Sequence, residues 1–261
     1  MVSSSKSSPI PPTNAPSLAN ALKANSSTAK ALPEQARKRW HNDYLDSLLM
    51  RDLKDISNIR RKDVMRKLLG VLMSWSGKFM ETTSICSSLS VTKPTLISYI
   101  NALETLYLFE QLGPWIKTDY ERVVRRSKIY ATDTGLIASF LNWRLDDVLF
   151  DSDRLGKIIE TLAFCELSAQ VDLDGNYSLA QYRDRNDHEI DFLVEDADGG
   201  VLGIEVKASS SVSRSDAKHL LWFRANILRQ KPFVGIVLYT GEHTLSLGDD
   251  LYAVPMAALW S

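Results

Sequence analysis

Apolar residues recur every three or four positions along the first half of the chain, which is the spacing of amphipathic helices. The pattern predicts a first helix from Glu34 onward and a second over residues 63–75, with Gly77 as its stop. Two further helices are predicted over residues 83–89 and 94–107. The apolar stripe of the first helix is Trp40, Tyr44, Leu45, Leu48 and Leu49, and that of the fourth is Leu96, Ile100, Leu103 and Tyr107.

The third and fourth predicted helices, with residues 90–93 between them, resemble a helix-turn-helix. Thr92 or Lys93 stands where an N-cap belongs, and Pro94 suits the first helical turn. Two strands over residues 109–114 and 127–132 would complete a winged helix. The outward-facing residues predicted for the fourth helix are Lys93, Thr95, Ser98, Tyr99, Asn101 and Ala102.

Basic residues in this region are candidate contacts for DNA phosphates. The fourth helix offers one cation and no arginine or glutamine of the kind that reads base edges. The segment between the wing strands is richer in positive charge. Because winged helices serve both roles, non-specific DNA contact and protein docking stay equally open. The candidate DNA-binding residues are Lys93, Arg122, Arg125, Arg126 and Lys128.

The second half of the chain mixes helical and strand periodicities. A helix is predicted over residues 156–167, followed by strands over residues 178–183, 188–195 and 201–207. A helix over residues 215–227 and a continuous apolar strand over residues 233–239 come next. The predicted order is therefore α-β-β-β-α-β.

Charged residues interrupt the second and third of these strands. Glu205 and Lys207 share one strand face because side chains alternate, and a tight turn over residues 196–200 would bring Asp191 beside them. The hairpin register is not fixed by the sequence, and an alternating Glu and Lys are more often a solvated strand face. If Asp191 and Glu205 converge, their like charges must raise the pKa of at least one of them. Two carboxylates and an ammonium on an apolar sheet form a candidate site for a hard divalent cation.

The order of elements, with an acid on the second strand and Glu-x-Lys on the third, resembles the PD-(D/E)xK nuclease fold. The resemblance implies that Asp191 and Glu205 hold Mg²⁺ or Mn²⁺ and that Lys207 stabilises the attacking hydroxide or the phosphate charge. It also implies that Glu160, on the preceding helix, joins the metal site. One departure is Ile190, which stands where the family pattern has proline. The implied catalytic residues are Asp191, Glu205, Lys207 and Glu160, and the implied metal ligands are Asp191, Glu205 and Glu160.

Composition adds few constraints. The 261 residues are 44% apolar with a net charge of −1, so a nucleic-acid surface would need local clustering of basic residues. The two cysteines have no metal-ligand spacing and indicate a reduced, cytoplasmic protein. No apolar run approaches a membrane span, so no membrane partner is expected. The first 33 residues are rich in Ser, Pro, Ala and Asn, which predicts disorder.

These observations predict an α+β fold in three parts. A disordered tail (residues 1–33) precedes a helical winged-helix domain (residues 34–150) and a restriction-endonuclease-like domain of order α-β-β-β-α-β (residues 151–261). The boundary follows a polar stretch rich in aspartate near residue 150.

Several short motifs, spread over most of the chain, resemble the C-terminal domain of unknown function that follows the P-loop AAA module in a family of bacterial and archaeal ATPases. No G-x-x-x-x-G-K-[ST] motif occurs in the sequence, so no ATP hydrolysis is expected of this chain. Either the chain is then a split or truncated member of the family, or the ATPase module is encoded elsewhere. The motifs lie at residues 39–53, 107–115, 128–136, 160–161, 189–192 and 204–207.

Two functions remain open at this point. One is a Mg²⁺-dependent DNA nuclease, or a DNA-processing accessory protein, that holds its substrate with the winged helix. The other is a non-catalytic DNA- or protein-binding module of a truncated or split AAA-type ATPase.

Overall fold

The structure is a computed structural model that describes residues 32–52, 61–115, 126–228 and 231–260. Within these residues it contains eight α-helices and two sheets, of three and six strands. The predicted α+β class is confirmed. Most of the tail predicted to be disordered, together with Arg122 and Arg125, lies outside the described residues.

The first half is mainly helical, and each predicted helix is present. Its elements are α1 (Glu34–Ser47, extended by a π-turn over Leu48–Asp52), α2 (Lys62–Ser74), β1 (Lys78–Phe79), α3 (Thr82–Leu89), α4 (Lys93–Thr105), β2 (Phe109–Leu112), β3 (Lys128–Ala131), α5 (Thr134–Phe140) and α6 (Leu145–Leu149).

Helix α4 begins as the sequence predicts, and Leu96, Ile100 and Leu103 of its predicted apolar stripe are buried. Thr92 is its N-cap and accepts a hydrogen bond from the Thr95 backbone N–H at 3.4 Å. Tyr99 and Ala102 are buried, so their predicted outward positions are wrong, and Tyr107 is 84% exposed although it was assigned to the apolar stripe. Residues 96, 99, 100 and 103 form the true inward stripe, and the helix ends at Thr105 before Tyr107 can join it.

Strand β3 is the centre of the small antiparallel sheet, whose order is β1-β3-β2. All four of its residues are buried. The two strands predicted over residues 109–114 and 127–132 are present as β2 and β3, whereas the two-residue β1 is too short to have a sequence signal.

The second half follows the predicted order α-β-β-β-α-β and then adds two strands. Its elements are α7 (Ser152–Asp174), β4 (Tyr177–Arg183), β5 (Glu189–Asp196), β6 (Val201–Lys207), a 3₁₀ turn (Arg214–Ala217), α8 (Lys218–Phe223), a π-turn (Arg224–Leu228), β7 (Phe233–Tyr239), β8 (Leu245–Gly248), β9 (Leu251–Pro255) and a final 3₁₀ turn (Met256–Trp260).

The large sheet has the order β4-β5-β6-β7-β9-β8. Its first three strands are antiparallel, β6-β7 and β7-β9 are parallel, and β8 returns antiparallel to β9. The apolar run of β7 suits this central position because a strand flanked by parallel neighbours is covered on both faces.

The large sheet lies between two apolar layers, each with its own helix. On one face, Phe164 of α7 packs with Phe192 and Ile204 in a core that also contains Leu68 of α2. On the other face, Leu220 and Phe223 of α8 pack against odd-numbered residues of β6 and β7. The first core therefore runs across residue 150, and the two predicted domains share it.

A second connection joins the edges of the two sheets. Residues 113–115, just after β2, run parallel to β4, with Gln181 N–H donating to Gly113 O at 2.9 Å and Trp115 N–H donating to Gln181 O at 2.6 Å. The Trp115 indole N–H also donates to the Glu195 carboxylate at 2.7 Å. These bonds hold the small sheet beside the carboxylate-bearing strands.

Candidate functional site

Strand β3 directs two polar side chains into the second half of the molecule. Lys128 and Tyr130 share one strand face because side chains alternate. The Lys128 ammonium lies 2.9 Å from Glu160 Oε1, 2.8 Å from Glu189 Oε1 and 3.1 Å from Asp191 Oδ1. Lys128 is only 2% exposed. Burial alone would lower its pKa, but the surrounding Tyr130 and carboxylates outweigh burial and hold the pKa well above its usual value.

This position differs from the one that the sequence suggested for Lys128. As a wing residue it was grouped with DNA contacts, yet its three N–H donors face three carboxylates inside the protein. Lys93 and Arg126 are exposed, as phosphate contacts must be, and Arg126 is ion-paired with Glu81.

Glu160 projects from α7 toward β3, about two turns after the helix begins. Its Oε1 accepts hydrogen bonds from the Tyr130 hydroxyl at 2.7 Å and from Lys128. The Tyr130 ring stacks on Phe164, with ring centroids 4.2 Å apart, which fixes the hydroxyl. Burial is the main cause that raises the pKa of Glu160 from 4.5 to about 7, with a contribution from the Asp191 charge.

Asp191 stands at a bulge where β5 separates from both neighbours. Between two regular pairs, Gln181 alone on β4 opposes Asp191 and Phe192 on β5. The β5–β6 ladder begins only at Phe192, and Asp191 Oδ2 accepts from the Val206 backbone N–H at 2.9 Å. Beyond Phe192, toward Asp191, the backbones of β5 and β6 are no longer paired, and we call this point the fork. There the Asp191 carboxylate takes the place of a backbone acceptor for β6. The bulge, and not only the β5–β6 register, therefore decides where the Asp191 side chain points.

Glu205 and Lys207 lie on one face of β6, as alternation predicts. The Lys207 ammonium is 3.6 Å from Glu205 Oε2. Glu205 is 5% exposed, and its Oε1 is buried with no hydrogen-bond partner among the described residues. Burial, followed by the Asp191 charge, raises the pKa of Glu205 well above its usual value. The like charge that was expected to raise a pKa in this pair therefore contributes at Glu205, after burial.

The four predicted catalytic residues therefore lie near the fork between β5 and β6, but on two different faces of the large sheet. Glu160 lies on the α7 side, and Glu205 and Lys207 lie on the α8 side with the odd-numbered residues of β6. Asp191 lies between them, because it contacts both Lys128 and the β6 backbone.

Glu189 is a member of this cluster to which the sequence analysis gave no role. It is ion-paired with Lys128 and lies 3.7 Å from the guanidinium of Arg183, which stacks over Phe79 of β1. Its signal was present in the alternation with Asp191, since residues two apart on a strand share a face.

A histidine pair also borders the fork and was not predicted. His188 Nδ1 forms a hydrogen bond with Asp184 Oδ2 at 2.8 Å, and the His188 ring stacks on Trp222 with centroids 3.7 Å apart. Burial, then the charges of Lys218, His188 and Lys207, lower the pKa of the neighbouring His219. The histidines are 31 positions apart by number on separate elements, so no local spacing could reveal the pair.

The carboxylates present are of the type that binds a hard cation, but the Lys128 ammonium occupies part of the position that a cation would take. Glu205 Oε1 is an unpaired buried oxygen beside Asp191, as a cation ligand would be. By contrast, Asp191 Oδ1 and Glu160 Oε1 are engaged by the ammonium. In the part of the chain that the structure describes, no group of three or more His, Cys, Asp or Glu is arranged to hold a metal ion as it stands.

Gly77 lets the backbone pass close to this site. Its φ is +81°, and a Cβ there would lie 3.2 Å from the Glu160 carboxylate. We expect Gly77→Ala to cost about 1–3 kcal/mol in the free energy of unfolding, because both the backbone angle and the contact are unfavourable. Urea denaturation measures this loss.

Gly156→Ala is the matched control for that substitution. Gly156 lies inside α7 with open space around it, so alanine there should stabilise by about 0.5–1 kcal/mol. Equal effects of the two substitutions would contradict the close approach at Gly77.

Comparisons with known proteins place the chain among uncharacterised relatives. It is 30% identical over 220 residues to the Uncharacterized protein Rv2008c of Mycobacterium tuberculosis and, equally, to the Uncharacterized protein Mb2031c of Mycobacterium bovis. The match covers 83% of this chain and 47% of each relative, so the chain spans about half the length of the curated relatives that it matches. No solved structure matches it.

Two family models match, and both describe domains of unknown function. One, Domain of unknown function (DUF4143), covers residues 155–259, which include Glu160 and all of the large sheet. The other, Domain of unknown function (DUF8612), covers residues 17–147 and therefore Lys128. Among the described helices none is long and apolar enough to cross a membrane. Because its model matches half of the chain, the protein belongs to the DUF8612 family.

Proposed function

We propose that this protein is a DNA-processing module with a Mg²⁺-dependent phosphodiesterase site of the PD-(D/E)xK type, docked on DNA by a winged helix. The winged-helix part of the proposal is supported by the order α2-β1-α3-α4-β2-β3 and by the antiparallel sheet β1-β3-β2. The exposed Lys93 and Arg126 are the described residues that would contact phosphates.

The observation that carries the proposal is the buried, unpaired oxygen of Glu205 beside Asp191 at the strand fork. Leaving a carboxylate oxygen buried without a donor is costly, and its raised pKa reflects that cost. Native proteins satisfy nearly all such groups with a protein partner, an ordered water or an ion. A hard cation between Asp191 and Glu205 would do so, because such ions take oxygen ligands.

Each residue then has a defined role. Asp191 and Glu205 would hold the cation, which supplies positive charge to the phosphate and a deprotonated water for attack. Lys207, two residues beyond Glu205 and 36% exposed in its side chain, can reach the phosphate and stabilise its charge. The Tyr130 hydroxyl donates a hydrogen bond to Glu160 and holds that carboxylate against Lys128, which also contacts Asp191.

The proposal is tested by DNA cleavage and by melting of the protein with divalent cations. Wild type should nick supercoiled plasmid with Mg²⁺ or Mn²⁺ and not with EDTA. A cation at 100 times its dissociation constant should also stabilise the fold by about 2.7 kcal/mol. Asp191→Asn should abolish cleavage and the thermal shift, since the amide still accepts from Val206 but carries no charge.

Asp172→Asn, on the exposed side of α7, is the matched control and should keep both properties. A wild type whose melting ignores millimolar Mg²⁺ and Mn²⁺, and which leaves plasmid intact, would end the phosphodiesterase proposal.

One observation favours a second candidate, a non-catalytic docking module. Lys128 already contacts three of the carboxylates, as a lysine in a structural ion-pair network would. In that case the protein binds DNA or a separately encoded ATPase without cleaving anything. Salt-sensitive DNA binding that is equal in wild type and Asp191→Asn, with no cleavage by either, would support this candidate.

A further inference from the structure

The Lys128 ammonium is surrounded as a bound cation would be. Its three N–H donors meet one oxygen each from Glu160, Glu189 and Asp191, all within 3.1 Å. These carboxylates come from α7 and β5 of the second half, whereas the lysine comes from β3 of the first half. No donor remains on Lys128 for a DNA phosphate.

Three carboxylate oxygens around one point also supply three of the ligands that a divalent cation takes, although with the ammonium in place these described residues are not arranged to hold a metal ion. The Lys128 ammonium supplies a single positive charge. Because it is covalently attached to β3, it cannot dissociate from the carboxylates as a metal ion could. The second ligand position, Glu205 Oε1, lies outside these contacts and is unpaired. The carboxylates around Asp191 therefore form two positions. At the Glu160 and Glu189 position Lys128 occupies the place of a cation, and at the Glu205 position one carboxylate oxygen is unpaired among the described residues.

We propose that Lys128 is a positioning residue that substitutes for a divalent cation on the Glu160 side, so that the wild-type site takes at most one exchangeable cation, at Asp191 and Glu205. The exchangeable cation rests on the function proposed above, whereas the substitution by Lys128 does not. The first half of the chain thereby sets how many cations the second half binds.

The test is the number of Mn²⁺ ions bound per chain, measured by calorimetry and by electron paramagnetic resonance. Lys128→Met, which keeps the length of the side chain but removes its charge, should bind one Mn²⁺ more than wild type, at least tenfold tighter than any wild-type binding at that position. Adding Glu189→Gln to Lys128→Met should remove the extra ion. Lys218→Met, an exposed lysine at the start of α8, should bind as wild type does.

Failure of this inference is distinguishable from failure of the proposed function. If wild type binds no Mn²⁺ and cleaves no DNA but Lys128→Met gains a site, the inference stands and the phosphodiesterase proposal falls. If Lys128→Met binds no more Mn²⁺ than wild type, the inference is overturned whatever wild type does.

Loss of folding does not remove the test. If Lys128→Met is unfolded without metal, millimolar Mn²⁺ should restore its structure, because the cation takes over the position of the ammonium. Lys128→Gln, whose neutral amide can donate to two of the carboxylates and so support folding, provides a second variant, in which a weaker gain of Mn²⁺ is expected because the amide competes with the cation. Both variants remaining unfolded in Mn²⁺ would also overturn the inference.

Discussion

Lys128→Met is expected to lower the free energy of unfolding by about 3–5 kcal/mol in EDTA, because it leaves Glu160, Glu189 and Asp191 without their shared cation. Removing one partner of a buried ion pair costs more than the pair contributes, since the remaining charges stay desolvated. Urea denaturation at neutral pH measures the loss.

The control for this prediction is an exposed lysine. Lys218→Met should change the stability by no more than about 0.5 kcal/mol, since surface substitutions seldom do more. A loss below about 1 kcal/mol for Lys128→Met would mean that water or protonation of the carboxylates compensates fully for the missing ammonium.

Glu160→Gln is expected to make the protein more stable at pH 8 than wild type, by a margin on the order of 3 kcal/mol that vanishes in acid. The pKa of Glu160 is raised from 4.5 to about 7, mainly by burial. The folded protein therefore binds this proton more tightly than the unfolded chain does. The resulting stability is complete below about pH 4.5 and is lost as the pH rises through about 7.

A glutamine has no proton to lose, so the difference between variant and wild type should grow across that interval. The measurement is urea denaturation of both proteins in EDTA at half-unit steps from pH 4.5 to pH 8. Asp172→Asn, an exposed acid on the same helix, should run parallel to wild type. A difference that stays flat with pH would show that Glu160 does not titrate in this range.

The elements that could be predicted from the sequence are those in which a long, continuous run of apolar or periodic residues indicates burial. Strand β7 has the predicted bounds, residues 233–239, because seven consecutive residues without charge lie at the centre of a sheet. Helix α3 agrees to within one residue. By contrast, β8 and β9 are short and partly exposed, so their alternation is weak, and neither was predicted.

The site was predictable in its residue types but not in its geometry. Glu205 and Lys207 follow from alternation within one strand. The direction of Asp191 depends on a bulge opposite Gln181, which only the pairing of β4 with β5 reveals. Lys128 was assigned to the surface because its partners lie 32 and 63 residues further along the chain. Its signal was the otherwise apolar character of β3, where an exposed lysine would be out of place.

The distance in sequence between Lys128 and Asp191 has a consequence for synthesis. The lysine leaves the ribosome 63 residues before the aspartate, an interval of about 3 to 13 s at ordinary elongation rates. Until Glu160 emerges, 32 residues after the lysine, β3 cannot be buried without enclosing an uncompensated charge, and the remaining carboxylate partners are present only once β5 has emerged. The small sheet should therefore remain open on the nascent chain until β5 has emerged, and a chaperone has that interval in which to bind it.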